Sequence, residues 1–436
     1  MVLIMIKIKD KAIVKLKYTG RIRRLYFLMI LVMTVFCTLV SILLPIPQLA
    51  TTLLIAFFML PFLLFVVSAL ALPGEWLISL FYQLLAKRKL RRFGTEIIGI
   101  TGSYGKTTTK SILLSYLQMK YLAIATPESY NTLNGVSKSI NQGLENQHEI
   151  MIVEMGADRK KDIERLVKLT RPKYGIITAV GPQHLAGFKT LANVLSEKVK
   201  LIDSLPKNGI AVINYDNELL REYRFKSECR IIKIGLHEGA DYRAYDVVSD
   251  ANGLRFMINS RGRTVELKTS LIGYHNVYNI LASFALAAEM GVSLKKLAQQ
   301  TLSLEPVKNR LNVKESGTLT IIEDSYNANI EGFRNALEIL DSYTKYKILI
   351  TPGLVEGGRE EESLNRALSE QISHVCHLVV LIKTRGSMAI KRGLDELGFT
   401  NCLFVDNFHQ AMVMVQKDYP EAVVLIENDV TDIYLI

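Results

Sequence analysis

Lys106 and Thr107 stand directly behind two bracketing glycines, in Thr101-Gly102-Ser103-Tyr104-Gly105-Lys106-Thr107-Thr108, at the end of the apolar run Ile97-Ile98-Gly99-Ile100. Residues of these types in this order can hold a chain of phosphates. The glycines let backbone N–H groups turn toward an anion, and a helix opening at Lys106 adds partial positive charge. Lys106 can reach terminal phosphates, and the Thr107 hydroxyl can serve Mg²⁺. The longer phosphate-loop pattern needs glycine where Ile100 stands, so the match is to the shorter form Thr-Gly-x-x-Gly-Lys-Thr. A plain glycine turn between strand and helix would carry similar residues. The succession of strand, glycines, Lys-Thr and helix favours the phosphate cradle.

Further candidates sit where other apolar runs end. Glu149-Ile150-Met151-Ile152-Val153-Glu154 closes on an acid that can hold Mg²⁺ directly or through water. Tyr174 to Val180 runs into Gly181-Pro182-Gln183-His184, and Ala211-Val212-Ile213-Asn214 is followed by Asp216. Ile321-Ile322-Glu323-Asp324 ends in acids as well. Polar residues at strand ends gather at one edge of an open parallel sheet, where ligands bind. His184 read alone is better explained as a surface or packing histidine, and Asp324 as a turn residue.

The elements that must position these residues follow from periodicity. From about residue 93 onward strands and helices alternate, which predicts α/β architecture with doubly wound parallel sheets. The segment after Tyr274 carries Val277, Ile280, Leu281, Phe284, Ala285 and Ala288 at helical spacing. Between about Ile231 and Ile272 short alternating runs predict an antiparallel insertion without chemistry of its own. Glu305-Pro306 marks a boundary, and a second doubly wound, Rossmann-like domain follows. Its strands are expected at Tyr346 to Ile350, Leu378 to Ile382 and Val423 to Ile426, with helices at Glu362 to Ile372 and Phe408 to Val415. The division predicted is 1–92, 93–304 and 305–436.

Residues 1–92 differ in kind. The chain is 49% hydrophobic, more than a soluble enzyme of 436 residues needs. Leu25 to Leu44 and Pro45 to Gly74 contain no charge, and each is long enough to cross a hydrocarbon core of ~30 Å. Pro45 and Pro47 separate two spans at about 25–44 and 49–72. Residues 1–24 carry eight Lys/Arg against one Asp, and five Lys/Arg lie between Lys87 and Arg92. These clusters outweigh the net charge of +11, so the rest is near neutral and no nucleic-acid surface is expected. Positive charge outside both ends predicts a multi-pass hairpin in the cell membrane with both termini cytoplasmic. A signal peptide or a buried hairpin fits less well. Trp76 to Leu90 reads as an interfacial segment. The four cysteines are scattered, without metal or disulfide spacing.

Taken together, the loop, Ser129-Tyr130-Asn131-Thr132 with Gly135, Glu154-Met155-Gly156-Ala157, Gln183-His184-Leu185 and Glu197-Lys198 resemble the Mur ligase family. The resemblance continues through Gly273-Tyr274-His275-Asn276 with Asn279, Lys308-Asn309-Arg310 and Asp324-Ser325-Tyr326-Asn327-Ala328-Asn329. It covers roughly residues 95–436. The Tyr-Asn-Ala-Asn element is most similar to the branch that adds D-alanyl-D-alanine to UDP-MurNAc-tripeptide.

The resemblance implies an ADP-forming amide ligase using ATP and Mg²⁺ at two metal sites. Gly102, Ser103, Gly105, Lys106, Thr107 and Thr108 would hold the nucleotide, Asn276 its adenine, Arg310 its phosphates across the domain cleft, and Asp324 a ribose or hinge contact. Thr107 and Glu154 would serve one metal, and His184 and Glu154 a second, near a carbamylated Lys198. Asn131 and Thr132 would lie near the γ-phosphate and the acyl acceptor. The implied partners are a nucleotide- or lipid-linked cell-envelope carboxylate and an amino acid or dipeptide amine, with membrane lipid around the hairpin.

The sequence also departs from the family. Lys200 stands where a Glu is usual, Ile330 where a Pro is usual, and Gly357 interrupts the Glu-Leu-Gly pattern. The hairpin occupies the place of the uridine-diphosphate domain, leaving no room for one before Thr95. A ligase for another amide polymer, similar to polyglutamate synthases, and a non-catalytic ATP-binding scaffold are the competing readings.

Overall fold

The computed structural model describes residues 20–43, 49–127, 130–183, 185–250, 253–260, 262–307, 311–324, 330–354 and 360–427. Two compact units result, Met1–Leu85 and Ala86–Ile436.

In the first unit, α1 (Gly20–Leu43) and most of α2 (Leu49–Phe93) are apolar around their circumference. Stretches Gly20–Val40 and Phe57–Phe93 are long and apolar enough to cross a membrane. Phe27, Phe58, Phe65 and Trp76 are exposed. The hydroxyls of Thr34, Thr38 and Ser68 donate to carbonyls four residues back at 2.8–2.9 Å, so these polar groups are satisfied within their helices. Arg24 pairs with Glu75 at 2.7 Å. Pro61 and Pro73 both lie inside α2. The segment expected at an interface is therefore continuous helix with the second span. Pro45 and Pro47 lie outside the described residues.

The second unit begins in the last turns of α2, where Ala86 and Leu90 are buried in a core cluster. Strand β1 (Glu96–Thr101) leads through the glycine loop into α3 (Lys106–Leu117), then β2 (Ala123–Ala125), α4 (Leu133–Gly143) and β3 (Ile150–Glu154). After α5 (Asp162–Thr170) come β4 (Tyr174–Ile177), α6 (Leu191–Lys198), β5 (Ile210–Asn214) and β6 (Arg230–Gly235). Strands β7 (Tyr242–Asp250), β8 (Gly253–Ser260) and β9 (Arg263–Thr269) precede α7 (His275–Glu289) and α8 (Leu294–Thr301). The sheet order is β2-β3-β1-β4-β5-β6-β7-β8-β9. It is parallel from β2 to β7, and β8 and β9 join antiparallel. The antiparallel strands predicted between Ile231 and Ile272 thus extend the central sheet. Apolar side chains on both faces explain why the central strands read as unbroken hydrophobic runs. One cluster packs Ile98 and Ile100 against α3 and α7, and the other packs Ile97, Met151 and Val153 against α4 and α5.

The remaining elements are β10 (Asn312–Ser316), β11 (Leu319–Asp324), α9 (Ile330–Asp341), β12 (Lys347–Thr351), α10 (Glu361–Val375), β13 (Leu378–Ile382), α11 (Arg385–Glu396), β14 (Cys402–Val405), α12 (Phe408–Asp418) and β15 (Val423–Glu427). They build a six-stranded sheet, β10-β11-β15-β12-β13-β14, antiparallel only at β10. Helices α9, α10 and α11 cover one face through Phe333, Leu337, Leu368, Ile372 and Ile390, and α12 covers the other through Ala411 and Val415.

Candidate nucleotide and acyl-transfer site

The glycine loop lies at the carboxyl edge of the central sheet, held on two sides. Ser103 N–H donates to Ala179 O at 2.8 Å, and Ser103 Oγ donates to Gly181 O at 3.0 Å. Thr101 Oγ1 donates to Met155 O at 2.9 Å, and Thr178 Oγ1 to Tyr104 O. The Ser103 N–H and hydroxyl together therefore fasten the loop to the segment after β4. Gly105 has φ 76° and precedes α3. Gly102 has φ 153°, and a Cβ there would lie 1.9 Å from Thr178 Oγ1. Backbone strain and the clash act together, so Gly102→Ala is expected to cost more than about 3 kcal/mol. Chemical denaturation should show that loss, together with loss of nucleotide binding.

Two lysines meet at this loop. Lys106 Nζ donates to Gly102 O at 2.9 Å, and Lys198 Nζ donates to the same oxygen at 2.9 Å. Lys198 is 2% exposed. Burial, with Lys106 beside it, holds its amine well below the usual lysine range. Its neighbours explain the orientation. Glu197 is fully buried and accepts from the N–H groups of Lys161 and Ile163 at 2.9 Å, at the N-terminus of α5. Lys200 Nζ pairs with Glu197 at 2.7 Å from the solvent side. The Lys at position 200 thus belongs to a helix-capping arrangement, and Lys198 is the lysine that faces the loop.

Glu154, 1% exposed, has both carboxylate oxygens engaged. Lys110 Nζ donates to one at 3.0 Å, and Asn131 Nδ2 to the other at 3.1 Å. Lys110 was absent from the sequence-derived site. The signal for it is its spacing: four residues beyond Lys106, on the same side of α3. Lys110→Met should leave a buried carboxylate without its cation and destabilise the protein by roughly 3 kcal/mol. Glu154→Gln in the same chain should recover most of this, which a double-mutant cycle in denaturant measures.

Asn276, at the start of α7, donates to Ile272 O at 2.8 Å and accepts from Asn279 Nδ2 at 3.0 Å. Asn279 in turn accepts from Thr109 Oγ1 at 3.1 Å. A Cβ on Gly105 would lie 2.2 Å from Asn279 Oδ1. This pair docks α7 onto the start of α3; Asn279 carries a positioning part that its motif alone did not reveal. Thr107 and Thr108 are half-buried in the first turn of α3. Asp324 ends β11 in the other sheet, partly buried. His184, Arg310, Ser129, Ser325 to Asn329 and Gly357 lie outside the described residues.

A phosphate-loop parallel α/β domain followed by a second parallel α/β domain defines a two-domain nucleotide-binding protein. Residues 100–287 match the Mur ligase middle domain, and residues 309–427 match the Mur ligase glutamate ligase domain. The chain belongs to the Mur ligase family. It is 31% identical over 278 residues to the UDP-N-acetylmuramoyl-tripeptide--D-alanyl-D-alanine ligase of Buchnera aphidicola subsp. Baizongia pistaciae, covering 63% of this chain and 60% of that protein. It is 28% identical over 347 residues to the Haemophilus influenzae protein of the same name, covering 78% and 75%. The chain thus spans about three-fifths to three-quarters of these relatives. MurF ligase from Thermotoga maritima in complex with ADP is 26% identical, with a TM-score of 0.73 and 80% of each chain covered. MurF from Acinetobacter baumannii shares the fold at 22% identity and a TM-score of 0.73, over 80% of this chain and 77% of that one.

Proposed function

We propose that the protein is a membrane-anchored, ATP-dependent, ADP-forming ligase that joins an amine to a carboxylate on a cell-envelope precursor. The observation that carries this reading is the meeting of Lys106 and Lys198 at Gly102 O, on the sheet edge that also holds Glu154 and Asn131. The ADP complex of the Thermotoga relative supports ATP as the nucleotide. The names of the relatives support UDP-MurNAc-tripeptide as the acceptor type and D-alanyl-D-alanine as the amine. The two long apolar helices support the anchor, which would concentrate the enzyme near a lipid-linked acceptor.

In the proposed reaction an acceptor carboxylate oxygen attacks the γ-phosphorus and ADP leaves. The amine nitrogen then attacks the acyl phosphate carbon, inorganic phosphate leaves, and the nitrogen gives up a proton. Lys106 and the loop N–H groups hold the phosphates and balance charge as the phosphoryl group moves. Asn131 orients Glu154 and faces the transferring group. The hard oxygen donors of Thr107 and Glu154 fit Mg²⁺, with Glu154 shared with or released from Lys110. Bound there, the cation would supply charge neutralisation at the phosphates. Lys198 as a neutral amine can add CO₂, losing a proton, to become a carbamate anion beside the loop. Asn276 and Arg310 are assigned to the nucleotide, with His184 beside a second metal.

The test is phosphate release by the full chain in membranes, with UDP-MurNAc-tripeptide, D-alanyl-D-alanine and MgATP. Release that requires both acceptor and amine, with a joined product by mass spectrometry, supports the reading. Nucleotide binding without turnover across acceptors and amines would favour a scaffold.

A further inference from the structure

A buried ammonium lies one helical turn behind the phosphate-loop lysine. Lys110 follows Lys106 by four residues on α3, is 5% exposed, and donates from Nζ to Glu154 Oε2 at 3.0 Å. Glu154 is the register partner of Ile100, so it stands beside the end of the strand that runs into the loop. Asn131 Nδ2 donates to Glu154 Oε1 at 3.1 Å, and the Glu154 N–H donates to Thr126 Oγ1 at 3.2 Å. Each carboxylate oxygen therefore has a donor, and the backbone behind it is held as well. Well-packed apolar residues usually hold a core at least as firmly as a buried ion pair, so stability alone is a weak reason for a lysine here.

We infer that Lys110 is a positioning residue that keeps free divalent cations off Glu154, so that metal enters this site only together with a nucleotide. This rests on the ligase reading. With the pair made, the ammonium cancels the charge that would draw a cation, and Lys106, one turn earlier on α3, adds a second positive charge. A free Mg²⁺ would have to share one buried carboxylate with an ammonium, where the low local dielectric makes their repulsion strong. A bound triphosphate reverses the balance. Its negative charges outweigh the lysines, and its oxygens extend the hard-oxygen shell that Mg²⁺ requires. Lys110 and Asn131 meanwhile keep Glu154 in one orientation, set for the cation that arrives with the phosphates.

The test is Mn²⁺ binding by the full chain in detergent micelles, read by electron paramagnetic resonance as loss of the free-ion signal, with Mg²⁺ as competitor. Without nucleotide, wild type and Glu154→Gln should take up Mn²⁺ alike, because the paired carboxylate attracts none. Lys110→Met should bind Mn²⁺ without nucleotide at least about tenfold more tightly than wild type. Lys110→Arg should restore the wild-type behaviour, and Lys110→Met combined with Glu154→Gln should lose the gain. A lysine with only a structural part would leave this affinity unmoved in Lys110→Met, and that result overturns the inference. Nucleotide-free Mn²⁺ binding by wild type that Glu154→Gln abolishes overturns it as well, and this comparison decides the matter if Lys110→Met fails to fold. Wild type that takes up no AMP-PNP, with or without Mn²⁺, would instead overturn the ligase reading.

Discussion

Lys106→Ala is expected to lower acceptor-dependent phosphate release by roughly a thousandfold, with the fold intact. Lys106 is half-buried and rests its ammonium on the carbonyls of Gly102 and Ser103, at 2.9 and 3.4 Å. Those bonds hold the side chain at the mouth of the loop, and Gly102 O keeps its bond from Lys198 when Lys106 is removed. The same ammonium, moved onto the β- and γ-phosphates, meets charge that grows as the phosphoryl group transfers. Losing one such preorganised donor costs ~10²–10³ in rate, and a cationic one on phosphate stands at the upper end. Steady-state kinetics should show the loss mainly in kcat. Lys106→Ala at wild-type rate would remove this lysine from the chemistry.

Lys198→Met is expected to separate activity from stability. Burial and the adjacent Lys106 depress the amine's folded-state pKa, while the unfolded chain keeps the ordinary value near 10.5. Below that value the unfolded state binds the extra proton more readily. Stability therefore rises with pH between the folded and unfolded values and is lost as pH falls through that window. A methionine of similar shape removes the penalty, so Lys198→Met should be at least as stable as wild type at pH 7 and show a flatter pH dependence. Its ligation rate should fall by about a hundredfold or more if the carbamate neutralises charge at the phosphates. Wild type should lose activity on removal of dissolved CO₂, and ¹³C-bicarbonate should give a carbamate NMR signal absent from Lys198→Met. A variant with full activity would make Lys198 a structural residue.

Much of this arrangement was legible as apolar runs closing on a polar residue. Fully buried parallel strands have no alternation to confuse, so β1, β3, β4 and β13 could be read from Ile97, Met151, Tyr174 and Leu378 onward. Glu154 and Asp324 were visible for the same reason, and Glu427 follows that pattern at the end of Val423 to Ile426. What sequence could not supply was pairing. The Lys110–Glu154 contact joins residues 44 apart, and the bonds that Asn276 makes to Ile272 O and Asn279 could not be read from its motif. Lys200 read as a break in the family pattern until Glu197 was found capping α5. Helix α2 continues through Pro61 and Pro73.

The most direct test of the central claim follows the acceptor's own oxygen. An acceptor with both oxygens of its terminal carboxylate labelled as ¹⁸O is incubated with the full chain in membranes, MgATP and amine, and the released phosphate is weighed by mass spectrometry. An acyl phosphate predicts one ¹⁸O in each phosphate released. Phosphate that carries only oxygen from ATP and water, alongside a ligated product, would contradict it.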